Sequence, residues 1–108
     1  MSFVVVARYR TVAGREQDVL SLLGTAAEAS RKEPACRRYR VHQGTEDPRT
    51  VLLYEEYDNE DGFAAHCASP HFQDIVLDQV LPLLEERDVL RCAPQGEEPD
   101  ESGEGAAA

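Results

Sequence analysis

The chain has 108 residues, 42% of them hydrophobic and none tryptophan, enough to enclose one core but not two. Half of its formal net charge of −10 comes from residues 97–108, which carry five acidic side chains and no Lys or Arg; the −5 left for the rest argues against nucleic acid and anionic membranes, and Arg37, Arg38 and Arg40 form too short a basic cluster to reverse this. No apolar run approaches the ~18 residues of a membrane-spanning helix, and Met1-Ser2-Phe3 leads into a strand-like run broken by Arg8 and Arg10 rather than into a signal peptide, so a cytoplasmic protein is expected.

In chain order, Phe3 to Arg10 is β-prone, and its continuous apolar start suggests a strand covered on both faces. Gly14 marks a turn. From Arg15 to Lys32, Val19, Leu20, Leu22, Leu23, Ala26, Ala27 and Ser30 recur at three- and four-residue steps, which predicts an amphipathic helix stopped by Pro34. Arg37 to Gln43 and Val51 to Tyr57 read as strands paired in a hairpin through the polar loop 44–49. A short helix begins near Asn59. A second, from Pro70 to about Leu84, carries Phe72, Ile75, Val76, Val80, Leu83 and Leu84 on one stripe, with Pro82 bending its last turn. Asp88 to Cys92 is the final strand.

The order β-α-β-β-α-β predicts an α+β, ferredoxin-like domain with a four-stranded antiparallel sheet over residues 1–93. Residues 94–108 form an acidic tail without large apolar side chains, expected to be disordered and to aid solubility. Helices on one side leave the other side of the sheet bare, so Val4 and Val6, or Phe3 and Val5, need cover. A second copy of the chain supplies it, giving an expected homodimer; shielding by Arg8, Arg10 and Arg40 is the monomeric alternative. Cys36, Cys67 and Cys92 are odd in number and lack a Cys-x-x-Cys pair, so they read as reduced packing residues. Cys67, beside His66, is the one whose thiol an imidazolium would acidify.

The segment from Tyr54 to Phe72 gathers two of the three histidines behind a strand. Phe63 and His66, three apart, share a helix face, so His66 should point inward with Phe63. Glu55, Tyr57, His66, Ser69, His71 and Phe72 form a strand ending in Tyr-Glu-x-aromatic followed by His-x-x-Ser-x-His-Phe. With the Ala13-Gly14 turn, the Glu33-Pro34-Ala35-Cys36 elbow and Tyr39, this pattern resembles the antibiotic biosynthesis monooxygenase family over residues 3–93.

The resemblance implies a homodimer whose two sheets face each other as a dimeric α/β barrel. It also implies oxygenation of an electron-rich aromatic, a quinol or anthrone, by O2 without flavin, haem or metal. A base titrating near neutrality suits such chemistry, and His has an unperturbed pKa of about 6.5. His66 would then accept the proton or orient the substrate oxygen, with Glu55 fixing its ring. Tyr57 and Phe72 would wall the pocket and His71 would sit at its mouth. Tyr39 or Tyr54 would bond the substrate, strand register deciding which points inward.

Each residue also has a plainer reading: His66 as a packed core histidine, His71 as a capping or surface residue, Glu55 paired with an arginine across the sheet, Tyr57 and Phe72 as core, His42 as surface. A non-catalytic small-molecule-binding dimer, or an isomerase of a small carbonyl compound, fits the same fold. His66 and His71 lie five apart with no third ligand evident, which speaks against a metal. Haem-degrading relatives use an Asn, a Trp and a ligating His where this chain carries Arg8, His66 and Val76.

Overall fold

The computed structural model describes residues 2–96; the tail beyond Gly96 lies outside the described residues. The elements are β1 (Phe3–Thr11), α1 (Glu16–Ser30), β2 (Cys36–Gln43), β3 (Thr50–Tyr57), α2 (Glu60–Cys67), α3 (Phe72–Val80, continued by a 3-10 turn Leu81–Leu83) and β4 (Leu84–Cys92). The sheet is antiparallel throughout with order β2-β3-β1-β4, the predicted ferredoxin-like α+β arrangement.

Period-two alternation sorts the strands between two faces. Val5, Ala7, Tyr9 and Thr11 of β1 and Val51, Leu53, Glu55 and Tyr57 of β3 are buried on the helix side, joined by Tyr39 of β2. Val19, Leu23, Ala26 and Ala27 of α1 and Val76 and Val80 of α3 close over them. The opposite face presents Val4 and Val6 in register with Glu56 and Tyr54 of β3 and with Cys92 and Leu90 of β4. Leu52 and Leu90 are exposed there. Arg8 and Arg10, on the same face, pair with Glu86, Glu85 and Asp47.

Gly14, at φ +84°, makes the turn after β1. Two boundaries differ from the sequence reading. Helix α1 ends at Ser30, before Pro34, in turns closed by the Lys32 N–H on Ala29 O and the Glu33 N–H on Ser30 O. Arg31 there donates from Nε and Nη2 to the Tyr39 carbonyl at 3.0 and 2.8 Å, tying the helix end to β2.

The last helix stops at Leu83, and β4 begins at Leu84 rather than Asp88. Helix α3 is wound wide, as a π-helix, and Pro82 sits in the 3-10 turn that ends it. The charged start of β4 carries no apolar signature. It is held by backbone pairing to β1 and by ion pairs of Glu85 with Arg10 and Arg49.

Asn59 caps α2, its Oδ1 accepting the Gly62 N–H at 2.9 Å. Gly62 lets α2 lie on the elbow between α1 and β2, because a Cβ there would stand 2.7 Å from Ala35 Cβ and 3.4 Å from Tyr57 Cβ. Gly62→Ala should therefore cost about 1–3 kcal/mol by overpacking. Gly24→Ala, on the exposed side of α1 with nothing within 4 Å of a new Cβ, should gain up to about 1 kcal/mol. Thermal denaturation of the two variants checks the contrast; equal shifts would contradict the packing argument.

Candidate functional site

Helix α2 turns Phe63 and His66 toward the sheet. Phe63 lies against Phe3 and Tyr57, with ring centroids at 5.7 and 5.5 Å, and the Arg91 guanidinium covers it at 5.6 Å. His66 is 1% exposed and is enclosed by the rings of Tyr39, Tyr57, Phe63, His71 and Phe72 at 5.2–6.2 Å. Ser69 links α2 to α3: its hydroxyl donates to the His66 carbonyl at 2.6 Å and accepts the Phe72 N–H at 3.2 Å. That turn brings His71 and Phe72 back onto His66.

A polar ring in such a cage needs a partner, and Glu33 provides it. One carboxylate oxygen, Oε2, lies 2.9 Å from His66 Nδ1 and within hydrogen-bonding distance of His71 Nε2. With both rings neutral, His66 donates through Nδ1–H and His71 through Nε2–H. The lone pair of His66 is then on Nε2, which faces Glu55 Oε1 at 3.9 Å. Glu55 Oε1 accepts the Tyr57 hydroxyl at 2.6 Å.

The sequence did not single out Glu33 as a site residue. It lies 33 positions from His66, and only the end of α1 and the elbow before β2 carry it there. The rest of the expected set divides by sheet face. His66, Glu55, Tyr57, His71, Phe72 and Tyr39 come together; Tyr54 lies on the opposite face, where its hydroxyl meets Glu56 Oε1 at 3.2 Å. Glu55 faces Val5 and Tyr39 across the sheet rather than an arginine. The arginine pairing falls to Glu56, which meets Arg37 and Arg38. His42 is exposed on that same open face, its Nδ1 beside the Leu52 carbonyl.

Burial shapes the protonation of the group. It lowers the His66 pKa, against the pull of Glu33, so the ring stays neutral below its ordinary titration range. It raises Glu55 to about 7, the Tyr57 hydroxyl opposing and the Glu33 charge adding to the rise. Tyr57 and Tyr39 are held far above the usual phenol range, by burial first and by the Glu55 charge second. Cys67 is likewise raised, by burial and then by Glu55, which opposes thiolate formation.

The fold raises Glu55 above its value in the unfolded chain, so the unfolded chain gives up its proton first. Stability from this group is full below about pH 4.5 and is lost as pH rises through about 7, a span of about 3 kcal/mol. Glu55→Gln keeps an acceptor for Tyr57 and removes the titration. The stability of the variant relative to wild type should climb by about 3 kcal/mol between pH 4.5 and 8; urea unfolding across that range measures it, and a pH-independent difference would refute the assignment.

The sequence profile described as antibiotic biosynthesis monooxygenase matches residues 2–77. Among solved structures, a protein from Mycobacterium tuberculosis is 26% identical with a TM-score of 0.83, covering 90% of this chain and 98% of its own. A conserved protein from Methanosarcina mazei is 25% identical with a TM-score of 0.83, over 88% of this chain and 94% of its own. A protein from Shewanella oneidensis is 27% identical with a TM-score of 0.80, over 84% and 88%. No curated protein gives a significant match.

Proposed function

The chain belongs to the antibiotic biosynthesis monooxygenase family, and from that premise we propose that it is a cytoplasmic, homodimeric monooxygenase that oxidises an electron-rich aromatic, a quinol or anthrone, with O2 and without flavin, haem or metal. The observation that carries this reading is the buried, neutral His66, oriented at Nδ1 by Glu33 with its Nε2 lone pair left to accept a proton. No helix among the described residues is long and apolar enough to cross a membrane.

In this mechanism His66 Nε2 takes a proton from the activated substrate. The resulting anion passes one electron to O2, and the substrate radical and superoxide combine to form a C–O bond. The imidazolium returns its proton to the peroxide. For an anthrone, loss of the second C–H proton and cleavage of O–O then yield a carbonyl and water. The substrate supplies every electron, one oxygen atom enters the product and the other leaves as water. Glu55 lies beyond His66 as a second titrating group, Tyr57, Tyr39 and Phe72 form the aromatic walls, and His71 stands at the mouth. Glu33 and His71, with side chains 16% and 18% exposed, form the open edge on the Nδ1 side of His66, so a substrate reaches Nε2 only when the rings around it part.

The open sheet face, with Val4, Val6, Leu52, Tyr54 and Leu90, is the proposed dimer contact. The enclosure of His66 by five rings favours a second reading, a binding dimer or a carbonyl isomerase that consumes no oxygen. Oxygen uptake by metal- and flavin-free protein with a panel of hydroquinones and anthrones separates the two. Uptake above autoxidation should fall by about 10²–10⁴-fold in His66→Ala; no uptake from the folded wild-type protein with any of these substrates would sink the oxygenase reading.

A further inference from the structure

Two imidazoles and a carboxylate meet at one edge of the aromatic cage, and they come from three separate elements: Glu33 from the elbow after α1, His66 from α2 and His71 from the start of α3. We propose that Glu33, His66 and His71 form a binding site for a divalent first-row transition metal ion, with zinc and cobalt as its simplest probes. The three candidate donor atoms, His66 Nδ1, His71 Nε2 and a Glu33 carboxylate oxygen, all lie within 4.8 Å of one another. Tetrahedral ligands at about 2.1 Å from an ion stand roughly 3.4 Å apart; an ion that displaces the two bridging protons must push Glu33 Oε2, now 2.9 Å from His66 Nδ1, outward by about 0.5 Å.

Its outer members are the ones free to adjust. Glu33 and His71 are partly exposed, whereas His66 is locked among rings. The donor set of two imidazoles and one carboxylate suits borderline ions such as zinc, cobalt and ferrous iron, and three protein ligands leave positions for water.

The surroundings of His66 supply what a ligating histidine ordinarily has behind it. When Nδ1 gives up its proton to bind a metal, the neutral ring carries its remaining proton on Nε2, and Nε2 faces Glu55 Oε1 at 3.9 Å. A carboxylate behind a ligating imidazole holds the ring's tautomer and orientation. Glu55 thus lies on the side where such an acceptor is needed, and must draw about 1 Å closer to accept that proton.

The same proton makes the metal an antagonist of the oxygenase chemistry. A neutral imidazole has one free lone pair; if it binds the ion through Nδ1, Nε2 carries a proton and accepts none from a substrate. That consequence rests on the oxygenase reading, whereas the metal site itself does not.

The test is titration of the full-length, metal-stripped chain with Co2+ and Zn2+, followed by visible absorption and calorimetry, with no substrate present. Expected are one ion per chain, cobalt d–d bands without a thiolate charge-transfer band, and weakening by at least about 10–100-fold in both His71→Ala and Glu33→Gln. His71 is partly exposed and Gln keeps the size of Glu33, and circular dichroism verifies that both variants fold. Absence of saturable binding overturns the site. So does binding that shows a thiolate band and survives both substitutions, because the ion is then held by cysteine. Either failure leaves the oxygenase reading intact, since oxygen uptake is measured on metal-free protein.

Discussion

Glu33 Oε2 is the point on which the helix side of this domain converges. A histidine enclosed by aromatic rings is tolerable only if its ring nitrogens are satisfied, and the partner that satisfies His66 also meets His71. To bring them together, α1 must end at Ser30, the elbow must turn inward, and α2 must lie directly on Ala35, which it does because residue 62 has no side chain. Ser69 then redirects the chain so that His71 and Phe72 close the cage. These local features serve a single packing and hydrogen-bonding arrangement.

The alternation of β3 supplies the other half of the site. Leu53, Glu55 and Tyr57 face the helices while Leu52, Tyr54 and Glu56 face outward, so one strand contributes both to the aromatic cage and to the open face. Two carboxylates approach His66 from opposite directions, Glu33 at Nδ1 and Glu55 near Nε2. They differ in surroundings. Glu33 lies at the partly exposed edge, whereas Glu55 is buried against Tyr57, where burial and the Glu33 charge hold its titration near neutrality. A carboxyl group held there weakens the fold above neutral pH, a local cost of the kind found where chemistry is carried out.

The position of one proton on His66 connects the proposed reaction with the proposed metal site. With Glu33 accepting from Nδ1–H, Nε2 is available as a base; with Nδ1 bound to a cation, it is not. In the first state Glu33 receives the Nδ1 proton at 2.9 Å; in the second the proton lies on Nε2, 3.9 Å from Glu55 Oε1, and ring and carboxyl group must close that gap. A closed aromatic cage also excludes water, which strengthens the electrostatic influence of each carboxylate on the ring.

The sequence alone determined the element order, the helix-facing stripe of α1, the inward direction of His66 from its spacing to Phe63, and the family pattern from Glu55 to Phe72, because these depend on local periodicity and short spacings. The extent of β4 was not legible, since Glu85, Glu86, Arg87 and Asp88 carry no apolar pattern and are strand only through pairing with β1. Which tyrosine faced the site was equally hidden: a shift of one residue exchanges the faces, and the register that turned Tyr39 inward and Tyr54 outward is set by the packed sheet. Glu33 is the clearest case. Nothing near it in the chain announces two histidines more than thirty positions away, and only the tertiary structure could decide that its carboxylate lies between them, because that contact exists only once α1, α2 and α3 have packed on one sheet.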